Sequence, residues 1–251
     1  IHIVWQDSRS GSPQLFYTKL DNSVATLVDD LQITSAAAGI YLHPIDIASD
    51  AQGNSHITWN DYRDGNAEFY YTKLDNSGAT LVDDMRLTFN SEISGSASLA
   101  IDSTGNVHIV WDDTRDNPGI STELYYTKLD NNGLTLVDDT RLTFSPGGSS
   151  YPSMRIDIQG NLHVAWGDMR DGNLEIYYMK LDTNGAILVS DTRLTFNGAS
   201  SLYPSLSPDT QDNIHVSWED YRDGNFEIYY TKLDNNGGTL VDDLRLTAAT
   251  G

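Results

Sequence analysis

The 251-residue chain contains no cysteine, which removes disulfides, thiolate metal sites and cysteine nucleophiles together. Basic residues are scarce: 15 Lys and Arg stand against 36 Asp and Glu, for a formal charge of −21. A field of that sign repels phosphate backbones and anionic headgroups, so nucleic acid is not an expected partner. No run of about 18 apolar residues occurs, which excludes a membrane-spanning helix. Apolar residues at 3.6-residue spacing are missing too, and with them any long amphipathic helix. Because the chain opens on Ile1 inside a repeat unit, it is expected to be part of a longer, extracellular or surface-displayed protein.

What is present is repetition. The stretch "WEDYRDGNFEIYYTKLD" at residues 218–234 has near-copies at Trp5, Trp59, Trp111 and Trp166, 52 to 55 residues apart. A fixed period points to architecture rather than to a catalytic constellation, which gathers unlike groups once. Each unit holds four strand-like segments, as in "YPSLSPD", "NIHVSW", "FEIYYTKLD" and "TLVDDLRLT", separated by Asn-, Asp- and Gly-rich hairpin signals. The segments are rich in β-branched and aromatic residues. The expectation is an all-β fold, a single β-propeller domain of four-stranded antiparallel blades over 1–251. Its units are placed at 1–34, 44–88, 97–143, 152–195 and 204–247. The first unit begins too late to include an inner strand; a closed five-bladed ring is the first expectation, and a larger ring or array to which these five units belong is the alternative.

The order "YPSLSPD…NIHVSW…DGNFEIYY…LRLT" resembles the propeller repeats of TolB-like proteins and of bacterial and archaeal surface proteins, over the whole chain. A weaker likeness links "DSTGNVHIVW" to the Asp-box repeats of sialidases. The TolB-like resemblance implies that "YPSLSPD" is innermost and "LRLT" outermost, and it implies no single activity.

The repeated triplet Trp-x-Asp-x-Arg occurs as Trp5/Asp7/Arg9, Trp59/Asp61/Arg63, Trp111/Asp113/Arg115, Trp166/Asp168/Arg170 and Trp218/Asp220/Arg222. Residues two apart on a strand share a face. Each triplet therefore offers either a sugar platform or an inter-blade joint of Arg stacked on Trp and paired with Asp. Its presence in every unit favours the joint, with Trp111 buried. His2, His56, His108, His163 and His215 also repeat and are read as hydrogen-bonded strand histidines. Two residues break the pattern: His43 in "YLHPID" and Arg155 in "YPSMRID".

In a four-stranded blade the hairpin between the second and third strands opens on the same end as the connection to the next blade. That end carries the unlike loops, including the off-pattern Glu92, while the other end carries near-identical "DNNG" turns. A ligand site is therefore expected on the variable end, with His43, Arg155 and Glu92 as contacts and Asp113 and Arg115 in support. No cofactor motif is present. The acidic hairpin "DYRDGN" with Glu68 or Glu227 supplies oxygens that would suit calcium. No Gly-x-Ser-x-Gly, His-Glu-x-x-His or P-loop occurs. The expected function is a non-enzymatic binding or interaction module for glycan or protein. The alternatives are a propeller glycoside hydrolase or polysaccharide lyase of sialidase-like type, and a purely structural repeat of a surface assembly.

Overall fold

The computed structural model describes residues 1–9, 11–35, 44–117 and 121–248. They form nineteen strands and no helix. The first sheet has three strands, β1 (His2–Asp7), β2 (Gln14–Leu20) and β3 (Thr26–Gln32). The second is β4 (Ile45–Ser49), β5 (Ser55–Asp61), β6 (Glu68–Leu74) and β7 (Thr80–Arg86). The third is β8 (Ser94–Ile101), β9 (Val107–Asp113), β10 (Glu123–Leu129) and β11 (Thr135–Arg141). The fourth is β12 (Ser149–Ile156), β13 (Leu162–Asp168), β14 (Glu175–Leu181) and β15 (Ile187–Arg193). The fifth is β16 (Ser201–Pro208), β17 (Ile214–Asp220), β18 (Glu227–Leu233) and β19 (Thr239–Arg245). Every neighbouring pair within a sheet is antiparallel and consecutive in the chain.

The turns follow from local chemistry. At the outer hairpins an aspartate such as Asp75 or Asp182 accepts backbone N–H groups two and four residues on, and the fourth residue takes a left-handed φ. This is the Asx arrangement that Asp-x-x-Gly sequences favour. The inner strands β4, β8, β12 and β16 lie against one another in order, which arranges the sheets about a common axis. The fold is a β-propeller, as the repeat predicts, with the first sheet short of its inner strand.

The core is divided into the spaces between sheets. Leu15 and Tyr17 of sheet 1 pack on Ile57, Trp59 and Leu74 of sheet 2. Phe69 and Tyr71 pack on Ile109 and Trp111 of sheet 3. Val110 and Tyr126 pack on Val164 and Trp166 of sheet 4, and Ile176 and Tyr178 pack on Val216 and Trp218 of sheet 5. Central strands of sheets 2 to 4 are buried on both faces, which is why their apolar runs are nearly unbroken. In sheet 5 the central strands alternate buried with half-exposed positions.

Among the described residues no apolar cluster joins sheet 5 to sheet 1. The closed ring expected from the repeat is therefore not formed: the two faces that would meet remain open. Sequence pattern could not show this, because the open faces carry the same residue types as the covered ones.

Candidate functional site

The repeated triplet proves to be a brace within each blade as much as between blades. Trp111, Trp166 and Trp218 are buried, and each indole N–H donates to the aspartate two residues on, at 3.0–3.1 Å. The arginine of each triplet stacks on the aromatic ring of the third strand, as Arg170 does on Tyr177 at 4.3 Å and Arg222 on Tyr229 at 4.1 Å. It also reaches an outer-strand aspartate: Asp84 for Arg63, Asp139 for Arg115, Asp191 for Arg170 and Asp243 for Arg222. The expected stacking of Arg on Trp is present for Arg115, 5.9 Å from the Trp111 ring, but the closer partner is the third-strand ring, as Tyr125 at 4.2 Å, because a β-sheet sets that ring beside the guanidinium. The inter-blade part is carried by the carboxylates, since Asp168 accepts from Ser145 at 2.8 Å and Asp220 from Asn197 at 3.1 Å in the incoming connections. Asp113 likewise holds Asn90 and Ser94 besides Trp111 and Arg115, so Asp113 and Arg115 are engaged in this brace.

The strand histidines of sheets 2 to 4 are internal, while His2 and His215 on the two end sheets are half-exposed. His163 is buried, with Nε2 3.1 Å from Asp157 and Nδ1 2.7 Å from the Tyr178 hydroxyl. Burial lowers its pKa, so the ring is neutral, its Nε2–H donating to the carboxylate and Nδ1 accepting from tyrosine. His56 repeats the arrangement, and burial lowers its pKa to about 4.

Most of the acidic hairpin oxygens are also committed, although Glu68 Oε2 is buried with no hydrogen-bond partner. Glu68 is buried and accepts from Arg86 at 2.8 Å and Asn66 at 2.9 Å. Glu227 takes Arg245 at 3.0 Å and Asn225 at 2.7 Å. Among the described residues no three His, Cys, Asp or Glu side chains converge as a metal-binding set.

His43 lies outside the described residues. Glu92 sits in the connection from sheet 2 to sheet 3, its backbone held by Asn90 and Asn66. Arg155 is exposed near the far end of β12, opposite His163, with Nη1 donating to Met154 O at 2.6 Å. Inner strands run from the variable end toward the turn end, so Arg155 stands apart from Asp113, Arg115 and Glu92. It shares a separate hollow on the inner strands with Asp46 and Leu99.

What the sequence reading passed over is Asp112. The residue between Trp and Asp differs in every unit: Gln6, Asn60, Asp112, Gly167 and Glu219. Asp112 is 4% exposed and accepts the Ser96 amide at 2.9 Å and the Tyr151 amide at 3.0 Å, tying β8 to β12 at the variable end. Burial raises its pKa to about 6, against the two amides, with the charge of Asp113 adding to the rise. Above it Tyr151 and Tyr203 stand side by side on β12 and β16, ring centroids 4.7 Å apart and both exposed. Their φ angles of 57° and 50° are left-handed, at bulges where the register of each inner strand shifts. For aromatic residues this backbone is strained, a feature that gathers at ligand-holding positions. A concave surface of about 400 Å³ is lined here by Asn60, Tyr62, Ser96, Asp112, Ser150 and Tyr151 among others, beside an open hollow under Tyr151, Tyr203, Pro152 and Pro204.

No family model matches the sequence, and no curated protein matches it. Solved structures do share its fold. A polysaccharide lyase of the ulvan lyase type, bound to -[GlcA(1-4)Rha3S]-, is similar with a TM-score of 0.65 at 12% identity, over 94% of this chain and 67% of that one. An α-L-arabinofuranosidase of Fusarium graminearum with arabinobiose gives a TM-score of 0.62 at 14% identity, over 82% of this chain and 67% of the other. A thermostable family-43 glycoside hydrolase gives 0.57 at 12% identity, over 100% and 96%. These likenesses establish the propeller fold and lie with carbohydrate enzymes rather than with TolB-like proteins. They contradict the expectation of a non-enzymatic module, because these proteins of the same fold are named as glycoside hydrolases and a polysaccharide lyase.

Proposed function

We propose that the chain is a glycan-cleaving propeller, a glycoside hydrolase or polysaccharide lyase, acting on extracellular polysaccharide at the variable end of the inner strands. The observation that carries the proposal is Asp112, a buried carboxyl with its pKa raised to about 6, where the repeat symmetry breaks beneath two exposed tyrosines. A group titrating near neutrality can give and take a proton in one cycle, the requirement of both hydrolytic and eliminative cleavage. Tyr151 and Tyr203 supply flat apolar faces for a sugar ring, and their hydroxyls supply polar edges. The shared fold of glycan-cleaving enzymes supports the same reading.

The test is turnover on a panel of arabinan, galactan and uronate-containing polysaccharides. Reducing-end release reports hydrolysis, and ultraviolet absorbance of an unsaturated product reports elimination. Asp112→Asn is expected to lower turnover by about 100-fold or more, and Tyr151→Ala with Tyr203→Ala to raise KM. Absence of turnover across the panel, or an unaltered Asp112→Asn variant, would overturn the proposal.

A further inference from the structure

Sheets 1 to 4 each hand the next sheet a crossing lysine and an apolar face, and sheets 2 and 3 add a polar side chain. A third-strand lysine crosses the gap to the backbone of the next sheet's hairpins. Lys19 Nζ donates to Gly53 O at 3.1 Å, Lys73 to Asn131 O at 3.0 Å, Lys128 to Thr183 O at 2.7 Å and Lys180 to Asn235 O at 3.1 Å. In sheets 2 and 3 the variable residue after tryptophan also meets the next inner strand: Asn60 donates to Ser94 O, and Asp112 accepts from Tyr151 N. Between these polar ends, residues such as Ile176, Tyr178 and Leu194 close on the neighbouring sheet.

Among the described residues no sheet packs on the corresponding groups of sheet 5. Ile228 and Tyr230 are half-exposed, and Leu244 and Leu246 are 48% and 54% exposed. Glu219 stands where Asn60 and Asp112 stand, half-exposed. Lys232 lies 3.1 Å from Asp209 of its own sheet, where the corresponding Lys73–Asp50 and Lys180–Asp157 separations are 3.6 Å. Without carbonyls to cross to, it folds back onto its own carboxylate.

The chain's own first sheet does not fit this face. In sheets 2 to 5 the outer-hairpin residue that meets the preceding sheet is glycine. A Cβ there would lie 2.9 Å from Val28 at Gly78, 2.5 Å from Tyr126 at Gly185 and 3.0 Å from Tyr178 at Gly237. Sheet 1 has Val24 at that position, with φ 67° and 65% exposure. A β-branched side chain on a left-handed backbone is an outlier, and it stands where Tyr230 would have to close.

We infer that the open face of sheet 5 is a docking surface for one further four-stranded repeat of this type. That repeat would carry glycine at its outer hairpin, carbonyls there for Lys232 and an inner-strand amide for Glu219. Val24 excludes sheet 1, of the same molecule or of another, from the place. Continuity with four existing interfaces identifies the occupant, since each is built on a crossing lysine and an apolar face of the kind that sheet 5 leaves uncovered.

The test supplies that repeat to the intact chain by splicing a second copy of residues 196–247 after Thr247. Hydrogen exchange in β18 and β19 is expected to slow by about 10-fold or more relative to the parent. Lys232→Ala should remove part of that protection. Gly237→Val in the added copy alone, which reproduces the first sheet's obstacle, should abolish it. Unchanged exchange in β18 and β19 would overturn the inference, as would full protection by the copy carrying valine.

Discussion

Sheets 4 and 5 are nearly the same sentence in two settings. Ile176 and Tyr178 are fully buried and Leu194 is 8% exposed, whereas Ile228 and Tyr230 are half-exposed and Leu246 is 54% exposed. Lys180 crosses to a neighbour and Lys232 does not. What differs is the presence of a following sheet. In such a fold a residue's energetic worth resides in the interface that covers it, so identical repeats contribute unequally.

The largest expected departure between covered and uncovered sheets comes from tryptophan. Trp111→Ala removes an indole enclosed between sheets 2 and 3 and should cost about 3–5 kcal/mol. Trp5→Ala, on the uncovered side of sheet 1, should cost less than half of that. Denaturant midpoints of the two variants check the difference, and equal losses would erase it.

Next is the acid response of the covered histidines. His56 is neutral in the folded protein, its pKa lowered by burial to about 4 from the ordinary 6.5. The unfolded chain binds a proton below pH 6.5 and the folded one only near 4. His56 therefore costs no stability above pH 6.5, and stability falls as pH drops through that window, by on the order of 3 kcal/mol. His56→Gln should flatten the pH dependence of the unfolding free energy between pH 6.5 and 4. A curve of unchanged slope would count against a buried neutral ring.

Smaller again is the lysine crossing. Lys180→Met should cost about 1–2 kcal/mol through lost charge-assisted hydrogen bonds to Asn235, while Lys232→Met in the parent chain should cost under about 0.5 kcal/mol. Equal costs would mean that the crossing contributes nothing. The smallest effect belongs to Asp191→Asn, which removes a partly exposed partner of Arg170. About 0.5 kcal/mol or less is expected by chemical denaturation, because Asp168 still holds the guanidinium.

The propeller was legible because every blade must satisfy the same constraints, and the tryptophan spacing reports them five times. The triplet's role was legible for the same reason, although its arginine partners came out differently, since sequence spacing does not say which ring a neighbouring strand brings alongside. Asp112 was passed over because attention to constant positions hides the variable one: "WDDTR" reads as another "WxDxR" until Gln6, Asn60, Gly167 and Glu219 are set beside it. The strain at Tyr151 and Tyr203 belongs to bulges, which the "YPS" segments do not announce. Ring closure was misjudged because exposure is a property of neighbours, and Ile228 looks like Ile176 in a string of letters.

The outer strands complete the picture. Each pairs along one side only and shifts register against its neighbour, and all but β15 carry adjacent acidic residues, as in "TLVDDLR". Asp30, Asp84 and Asp243 take left-handed φ angles of 47°, 42° and 41° within these strands. An outermost strand that is bent and negatively charged makes a poor template for another molecule's strand. A protein built almost wholly of β-sheet is thereby protected against edge-to-edge aggregation by its own rim, and the aspartates that anchor the arginine braces also keep neighbouring molecules apart.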